Sequence, residues 1–200
     1  MPFNWFDIAI LLFLGLGIQR GRKHGMSQEM ILVFKWLAII IVGGLGYAVI
    51  GDVISDNSVF SRLSAYLMAY IIITLGITVA FWGIKKMAGG KLIGSDVFGS
   101  GEYYLGMVAG LIRYACILIF ALSFLNARLY SDKEIADDLK FQNDVYGSNY
   151  FPKLYTVQDD VFKKSFVGPH IHDALGFLLI KGTYPETKEL RKEREVGQLN

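Results

Sequence analysis

The chain has 200 residues, of which 53% are hydrophobic and only 19% charged, with a mean hydropathy of +0.40 and a formal net charge of +2. Ordinary soluble domains carry about 25% charged residues. This composition excludes a wholly disordered chain, and the small net charge without a basic stripe argues against a nucleic-acid partner. Nearly all of the apolar excess lies before Ala127, so a membrane protein is the first hypothesis.

Four apolar runs before Ala127 are the candidate membrane spans. A bilayer core of about 30 Å requires roughly 20 apolar residues in a helix. The runs cover residues 3–19, 30–50, 63–84 and 103–125. We predict an all-α, polytopic membrane protein, with a domain of four transmembrane helices over residues 1–126. Residues 127–200 are expected to form a polar, extracytoplasmic C-terminal region with amphipathic helices.

The basic residues predict how these spans are oriented. No Lys or Arg precedes the first run, so we expect a retained anchor and not a cleaved signal peptide. The first and third connections carry the positive charge, at Arg20, Arg22, Lys23, Lys85, Lys86 and Lys91. The second connection carries Asp52 and Asp56 instead. By the positive-inside rule the first and third connections face the cytoplasm, so an even number of spans places both termini outside it.

The C-terminal region contains two apolar patterns. Val157, Val161, Phe162 and Phe166 recur at near-helical spacing among charged residues, and a second apolar run covers residues 174–180. Such segments lie on a membrane surface, cover the end of a helix bundle or pack on one another as a small cap, and the sequence leaves these alternatives open. The charged residues 186–200 are expected to be frayed.

Regularly spaced glycines predict where helices approach each other closely. Gly17, Gly21 and Gly25 are spaced by four residues, as are Gly106 and Gly110. In lipid, small residues at positions i and i+4 permit close backbone contact. We therefore assign Gly17, Gly106 and Gly110 to helix packing, within one chain or between copies, with hinge motion as the alternative.

Charged residues inside the apolar runs are candidate functional residues. Arg113 lies near the middle of the fourth run, where an arginine costs about 2.5–3.5 kcal/mol and needs a partner. We predict an ion pair between Asp7 and Arg113 across the first and fourth helices. In the alternative, Arg113 faces a water-filled crevice or backbone carbonyls, and Asp7 caps its own helix. Lys35 in the second run is expected to extend toward Glu29.

Motifs of catalytic or metal sites are missing from the sequence. It has no nucleophile elbow, phosphate-binding loop or HExxH motif. His170, His172 and Asp173 have no further His or Cys nearby and follow a Gly-Pro turn, which makes a metal site a weak hypothesis. The single cysteine, Cys116, excludes an intramolecular disulfide. We expect no enzymatic activity, no metal and no cofactor.

Three segments of the first 126 residues carry a recognisable pattern. Residues 4–8 read NWFDI, residues 20–29 read RGRKHGMSQE, and residues 94–96, GSD, precede LGMVAGLIR at residues 105–113. Together they resemble the CvpA family, the colicin V production protein group of small bacterial inner-membrane proteins. Its RGxxxGxxxE connection is similar to Arg20, Gly21, Gly25 and Glu29, and its fourth helix reads LGxxxGxxRG. Tyr114 and Gln28 depart from the family pattern, and residues 97–104 resemble an insertion.

The resemblance implies a polytopic inner-membrane protein linked to colicin V production or export and to envelope stress tolerance, with no established catalytic residues. We expect a non-enzymatic accessory protein of the bacterial inner membrane. Its expected partners are the lipid bilayer and either a second copy of the chain or another envelope protein. The alternative is a small oligomeric transporter or channel lined by Arg113, Lys35 and Asp7.

Overall fold

The structure is a computed structural model that describes residues 3–88, 99–147 and 152–185. In these ranges six α-helices hold most of the chain: α1 Trp5–Asn57, α2 Arg62–Ala88, α3 Glu102–Asn126, α4 Asp132–Tyr146, α5 Leu154–Asp159 and α6 Val167–Leu175. A π-helical turn at Asp160–Lys164 and a 3-10 turn at Gly176–Leu178 follow α5 and α6. The motif at residues 94–96, the predicted cytoplasmic Lys91 and the predicted frayed residues 186–200 lie outside the described residues.

Three helices, α1, α2 and α3, are long and apolar enough to cross a membrane. Each contains an 18-residue window with a mean hydropathy of 2.1 or 2.2. This finding confirms the prediction of an all-α membrane protein. The count differs from the predicted four because α1 contains both the first and the second apolar run.

Gly25 breaks α1 near its middle. Its φ of 73° and ψ of 169° are not helical, and the positive φ is a conformation that glycine adopts far more readily than other residues. A straight helix of 53 residues would be about 80 Å long, well beyond the thickness of a bilayer. The RGxxxGxxxE segment, expected as a connection, is therefore helical on both sides of a single non-helical residue.

Before this break, α1 runs antiparallel to α3. Gly17 packs against Gly110, whereas Gly21, one turn later in α1, packs against Gly106, one turn earlier in α3. Residue numbers thus rise along α1 while they fall along α3. The first part of α1, residues 5–24, is antiparallel to α3.

After the break, the chain runs in the opposite direction. Glu29 contacts Arg113, and seven residues further on the ring of Trp36 lies 5.7 Å from that of Phe120. Residue numbers now rise along both helices, so the second part of α1, residues 26–57, is parallel to α3. The two parts of α1 therefore form a hairpin, and this geometry is compatible with four spans, a count that stays a prediction.

Helix α2 packs against the second part of α1 in the antiparallel sense. Gly43 faces Tyr70, and Tyr47 meets Tyr66 edge to face with ring centroids 5.2 Å apart. Tyr70 is fully buried and also contacts Phe120 of α3. Aromatic pairs in such arrangements contribute beyond the area they bury. This aromatic group holds α2 to the rest of the bundle.

The C-terminal region covers one end of the bundle. Leu179 and Ile180 are 2% and 0% exposed and belong to the two hydrophobic cores. The backbone of Leu178 lies so close to Gly44 that a Cβ there would be 2.5 Å from the Leu178 carbonyl oxygen. Asn126 donates to the Ile180 carbonyl, which fixes the segment at the end of α3. Of the alternatives left open by the sequence, covering the bundle is the one that the structure shows for residues 178–180.

Candidate functional site

A buried ion pair lies inside the bundle, near the break in α1. Glu29 is 0% exposed and Arg113 is 8% exposed. An oxygen of the Glu29 carboxylate, Oε2, lies 2.8 Å from Nη1 of Arg113. Burying either charge alone would be costly, whereas a paired arrangement offsets much of that cost. The pair therefore joins the second part of α1 to α3.

His24 connects this pair to the protein surface. Its Nδ1 lies 3.0 Å from the other carboxylate oxygen of Glu29, Oε1, and its side chain is 50% exposed. The imidazole belongs to the last turn before the break, whereas Glu29 belongs to the first turns after it. A solvent-accessible titratable group thus touches a carboxylate that has no exposure of its own.

Glu102 stabilises the point at which α1 resumes after Gly25. Its Oε1 accepts a hydrogen bond of 2.6 Å from the backbone N–H of Ser27. The first N–H groups of a helix have no intrahelical partner, and a negative charge there is favourable. Glu102 itself is the first residue of α3. It therefore caps the second part of the neighbouring helix α1 and not its own helix.

Several buried polar atoms around the break have no hydrogen-bond partner within the described ranges: Ser27 Oγ, Glu102 Oε2 and Arg113 Nε. Unsatisfied buried groups cost about 1–3 kcal/mol each and are uncommon in native proteins. Together with Glu29 and His24, these three residues are named here the polar cluster, in which the three atoms remain available for hydrogen bonds.

The structure places Asp7 away from the polar cluster. Asp7 is 1% exposed, and its Oδ1 accepts a hydrogen bond of 3.0 Å from the backbone N–H of Val167. Its Oδ2 accepts from the N–H groups of Phe166 and Asn4, at 3.0 and 2.9 Å. Asp7 therefore caps two helices: α1, to whose first turn it belongs, and the neighbouring α6.

The predicted ion pair between Asp7 and Arg113 is thus wrong. Phe6, next to Asp7, packs in the same core as Leu122, nine residues beyond Arg113 on α3. Nine residues of helix correspond to about 13 Å. Asp7 obtains its partners from backbone N–H groups, whereas Arg113 obtains its own from Glu29. Of the stated alternatives, capping of α1 by Asp7 is confirmed, with Asn4 and Asp7 forming a capping box.

Lys35 does not reach Glu29. Its ammonium nitrogen lies 5.3 Å from the ring centroid of the neighbouring Trp36. In the described part of the chain no carboxylate lies within 4 Å of Lys35, and Glu29 is engaged by Arg113 and His24. The expected approach of Lys35 to Glu29 is therefore not formed.

The glycines assigned to helix packing lie at the contact between the first part of α1 and α3. A Cβ on Gly106 would lie 2.5 Å from the carbonyl oxygen of Gly21, and one on Gly17 would lie 2.8 Å from the side chain of Tyr114. A Cβ on Gly110 would overlap the carbonyl oxygen of Gly17. Only hydrogen atoms fit at these positions, so the two backbones touch directly.

Tyr114, a departure from the family pattern, bridges two arginines. Its hydroxyl accepts a hydrogen bond of 3.1 Å from Nη1 of Arg20, and the Arg113 guanidinium lies 5.2 Å from its ring centroid. Arg20 of the RGxxxGxxxE segment thereby contacts α3. The side chain takes part in the packing of α1 on α3, where a glycine would leave both arginines without this contact.

The histidines of the C-terminal region are engaged separately. Nδ1 of His170 lies 2.8 Å from the carbonyl oxygen of Phe166, and the ring of His172 packs edge to face on Phe162. Within residues 3–88, 99–147 and 152–185, no three His, Cys, Asp or Glu side chains gather as metal ligands.

Sequence reasoning missed three members of the polar cluster: His24, Ser27 and Glu102. His24 and Ser27 lie inside the segment of residues 20–29. Only the position of the break shows that His24 faces Glu29 and that Ser27 faces Glu102. Glu102 follows Gly99-Ser100-Gly101, a glycine-rich stretch of the kind that connects helices. An acidic residue directly after such a connector was the available signal, because carboxylates favour helix starts.

One comparison with known proteins gives a result. The family model described as "Colicin V production protein" matches residues 6–154, about three quarters of the chain. The matched range contains α1 except for its first residue, all of α2 to α4, and every residue of the polar cluster. No curated protein and no solved structure matches the chain.

Proposed function

The chain belongs to the colicin V production protein family, and on that premise we propose that it is a non-enzymatic accessory protein of the bacterial inner membrane. In this role it supports the production or export of a peptide toxin such as colicin V and the integrity of the envelope. The observation that carries the proposal is the family match over residues 6–154.

The construction of the bundle supports a scaffolding role. Direct backbone contact between α1 and α3 and the buried pair of Glu29 and Arg113 fix the helices relative to each other. The outward faces of α1 and α2 expose large apolar side chains, such as Leu45, Val79 and Trp82. These faces supply contact with lipid, with a second copy of the chain or with another envelope protein.

The two ends of the bundle support the proposed orientation. Gly25, Glu102 and the basic Lys85 lie toward one end, whereas Asp7, Tyr47 and the C-terminal region lie toward the other. With the basic end in the cytoplasm, four spans leave both termini outside it. Alkaline phosphatase fused after Asn200 is expected to be active, and a green fluorescent protein fused there to be dark; the opposite pattern would reverse the orientation.

The function is tested by complementation. In a bacterial host that lacks its own member of the family and carries the colicin V genes, the wild-type chain is expected to restore toxin in the culture medium and growth in detergent. Arg113→Ala is expected to restore less, whereas Gly76→Ala, at a glycine with nothing within 4 Å, serves as the matched control. A host without either defect before complementation would count against the proposal.

A second candidate function is an oligomeric transporter or channel. It is favoured by the polar cluster, which combines unsatisfied buried atoms with a half-exposed histidine, because intramembrane charges often mark an ion or proton path. Proton flux into proteoliposomes that disappears in Arg113→Ala and survives in a folded Arg113→Lys would support it. Flux equal to that of protein-free vesicles for protons and other ions would remove it.

A further inference from the structure

A pocket separate from the polar cluster opens on the surface of the bundle near the break in α1. Gln19, Arg22 and Lys23 of α1 and Tyr103 of α3 line this pocket, which has a volume of about 480 Å³. All four residues are exposed. Among the described residues, the lining contains two cations and no carboxylate, so it favours an anion.

Among the residues that the structure describes, neither cation of this pocket has an acidic partner. Throughout the described part of the chain, no carboxylate lies within 4 Å of Arg22 or Lys23. By contrast, Lys163 and Lys164 of the C-terminal region each have a carboxylate oxygen at about 3 Å. The Arg22 guanidinium lies 4.6 Å from the ring centroid of Tyr103, a cation–π contact that holds it beside the pocket.

An apolar strip continues from the pocket along the same face of α1. Leu12, Gly15 and Leu16 precede Gln19 by seven, four and three residues, which places them on one side of the helix. Leu12 and Leu16 are 67% and 52% exposed, and Gly15 has no neighbour within 4 Å. This part of α1 belongs to a helix apolar enough to lie in hydrocarbon. A ligand with an acyl chain would find apolar surface directly beside the two cations.

We propose that this pocket binds the phosphate group of an anionic phospholipid. Arg22 and Lys23 contact the phosphate, Gln19 donates a hydrogen bond to the headgroup, and an acyl chain lies along Leu12 and Leu16. Basic pockets between transmembrane helices are suited to such headgroups, because the charge attraction acts next to the hydrocarbon boundary. The inference depends on the membrane location of α1 and not on the proposed role in toxin production.

Native mass spectrometry of the full chain in an uncharged detergent tests the inference. Phosphatidylglycerol and phosphatidylcholine with identical acyl chains are titrated separately. The wild type is expected to retain phosphatidylglycerol preferentially. The double variant Arg22→Gln with Lys23→Gln is expected to bind it roughly 10- to 30-fold more weakly, the loss expected for two cations at a membrane surface.

Two further double variants serve as controls. Lys133→Gln with Lys140→Gln removes two exposed cations from α4 and is expected to leave lipid binding unchanged. Arg22→Lys with Lys23→Arg keeps both charges and is expected to retain most of the binding. Circular dichroism checks that each variant is folded, and the single variant Lys23→Gln replaces the neutral double variant should that one unfold.

The inference is overturned if the wild type binds both lipids equally or if the neutral variant binds phosphatidylglycerol as well as the wild type does. A competition arm separates the lipid from a soluble anion. Displacement of the lipid by equimolar inorganic phosphate or glycerol phosphate would also overturn the inference, since it would identify a free anion as the ligand. The absence of displacement supports the lipid.

Discussion

The two ends of the bundle each bury a carboxylate, but they compensate its charge in different ways. Glu29 is 0% exposed and faces an arginine, whereas Asp7 is 1% exposed and faces backbone N–H groups. The first solution joins two helices that lie in the membrane. The second joins α1 to a segment about 160 positions later in the sequence. A charged partner is therefore not required for a buried carboxylate when a helix start can supply hydrogen bonds.

The largest loss of stability is expected when the buried ion pair of Glu29 and Arg113 is broken. Glu29→Ala leaves Arg113 buried without its partner, and breaking a buried pair in this way costs about 3–5 kcal/mol. Thermal unfolding in detergent measures the loss. The variant Glu29→Arg with Arg113→Glu is expected to recover part of the stability. If the destabilisation of this swapped variant equalled the sum of those of Glu29→Arg and Arg113→Glu measured singly, the two side chains would not act as a pair.

The glycine contact between α1 and α3 is expected to give the next largest effect. Gly106→Ala forces the two backbones apart, and overpacking of this kind costs about 1–3 kcal/mol. Gly15→Ala and Gly76→Ala are matched controls, because a Cβ at either position meets nothing within 4 Å. Thermal unfolding of the three variants side by side tests the contact. Equal melting temperatures would mean that the helices do not touch there.

Asp7 is expected to affect the C-terminal region more than the bundle. Asp7→Ala removes the acceptor of the Phe166 and Val167 N–H groups, and an unsatisfied buried group costs about 1–3 kcal/mol. Faster hydrogen exchange and proteolysis around these residues are the expected readouts. Asp173→Asn, at a carboxylate that is 85% exposed, is the control. A loss of global stability as large as that of Glu29→Ala would erase the distinction between the two ends.

The smallest effect is expected from a surface carboxylate with charged partners. Hydrogen bonds from Lys163, and next from Lys164, hold the pKa of Asp159 below its ordinary value. A lowered pKa in the folded state stabilises that state above the ordinary pKa, and the contribution is lost as the pH falls below about 4. Proteolysis of the C-terminal region across pH 3–6 should therefore differ between wild type and Asp159→Asn. High salt screens these charges, so the difference between the two proteins should shrink in high salt. A difference that grows with salt would contradict a stabilising role for the charged partners of Asp159.

The apolar helices could be predicted from the sequence because their hydropathy and length are local properties of the chain. The partner of Arg113 could not be predicted, because it depends on where α1 resumes. The sequence alone indicates that residues 20–29 are a connection between spans, which would place Glu29 at the edge of the membrane. With the break confined to Gly25, Glu29 lies in the first turns of the second helical part, level with Arg113.

The position of the C-terminal region depends on a contact that no local pattern shows. The periodicity of Val157, Val161 and Phe166 indicates an amphipathic segment but does not identify the surface that it covers. The surface that the C-terminal region as a whole covers includes Gly44, whose lack of a side chain admits the backbone of Leu178. It also includes Asp7, whose partners are backbone N–H groups and therefore leave no trace in the identity of residues 166 and 167.

The single-residue turn at Gly25 also bears on biogenesis. Only Gly25 departs from helical geometry between the two parts of α1, so the polar residues 19–24 before the turn belong to the helix and not to a separate loop. We therefore expect the two parts of α1 to enter the bilayer together, as a helical hairpin. Epitope tags or protease sites engineered at this turn would separate that pair, and they would be expected to abolish insertion where the same tags after Asn57 would not.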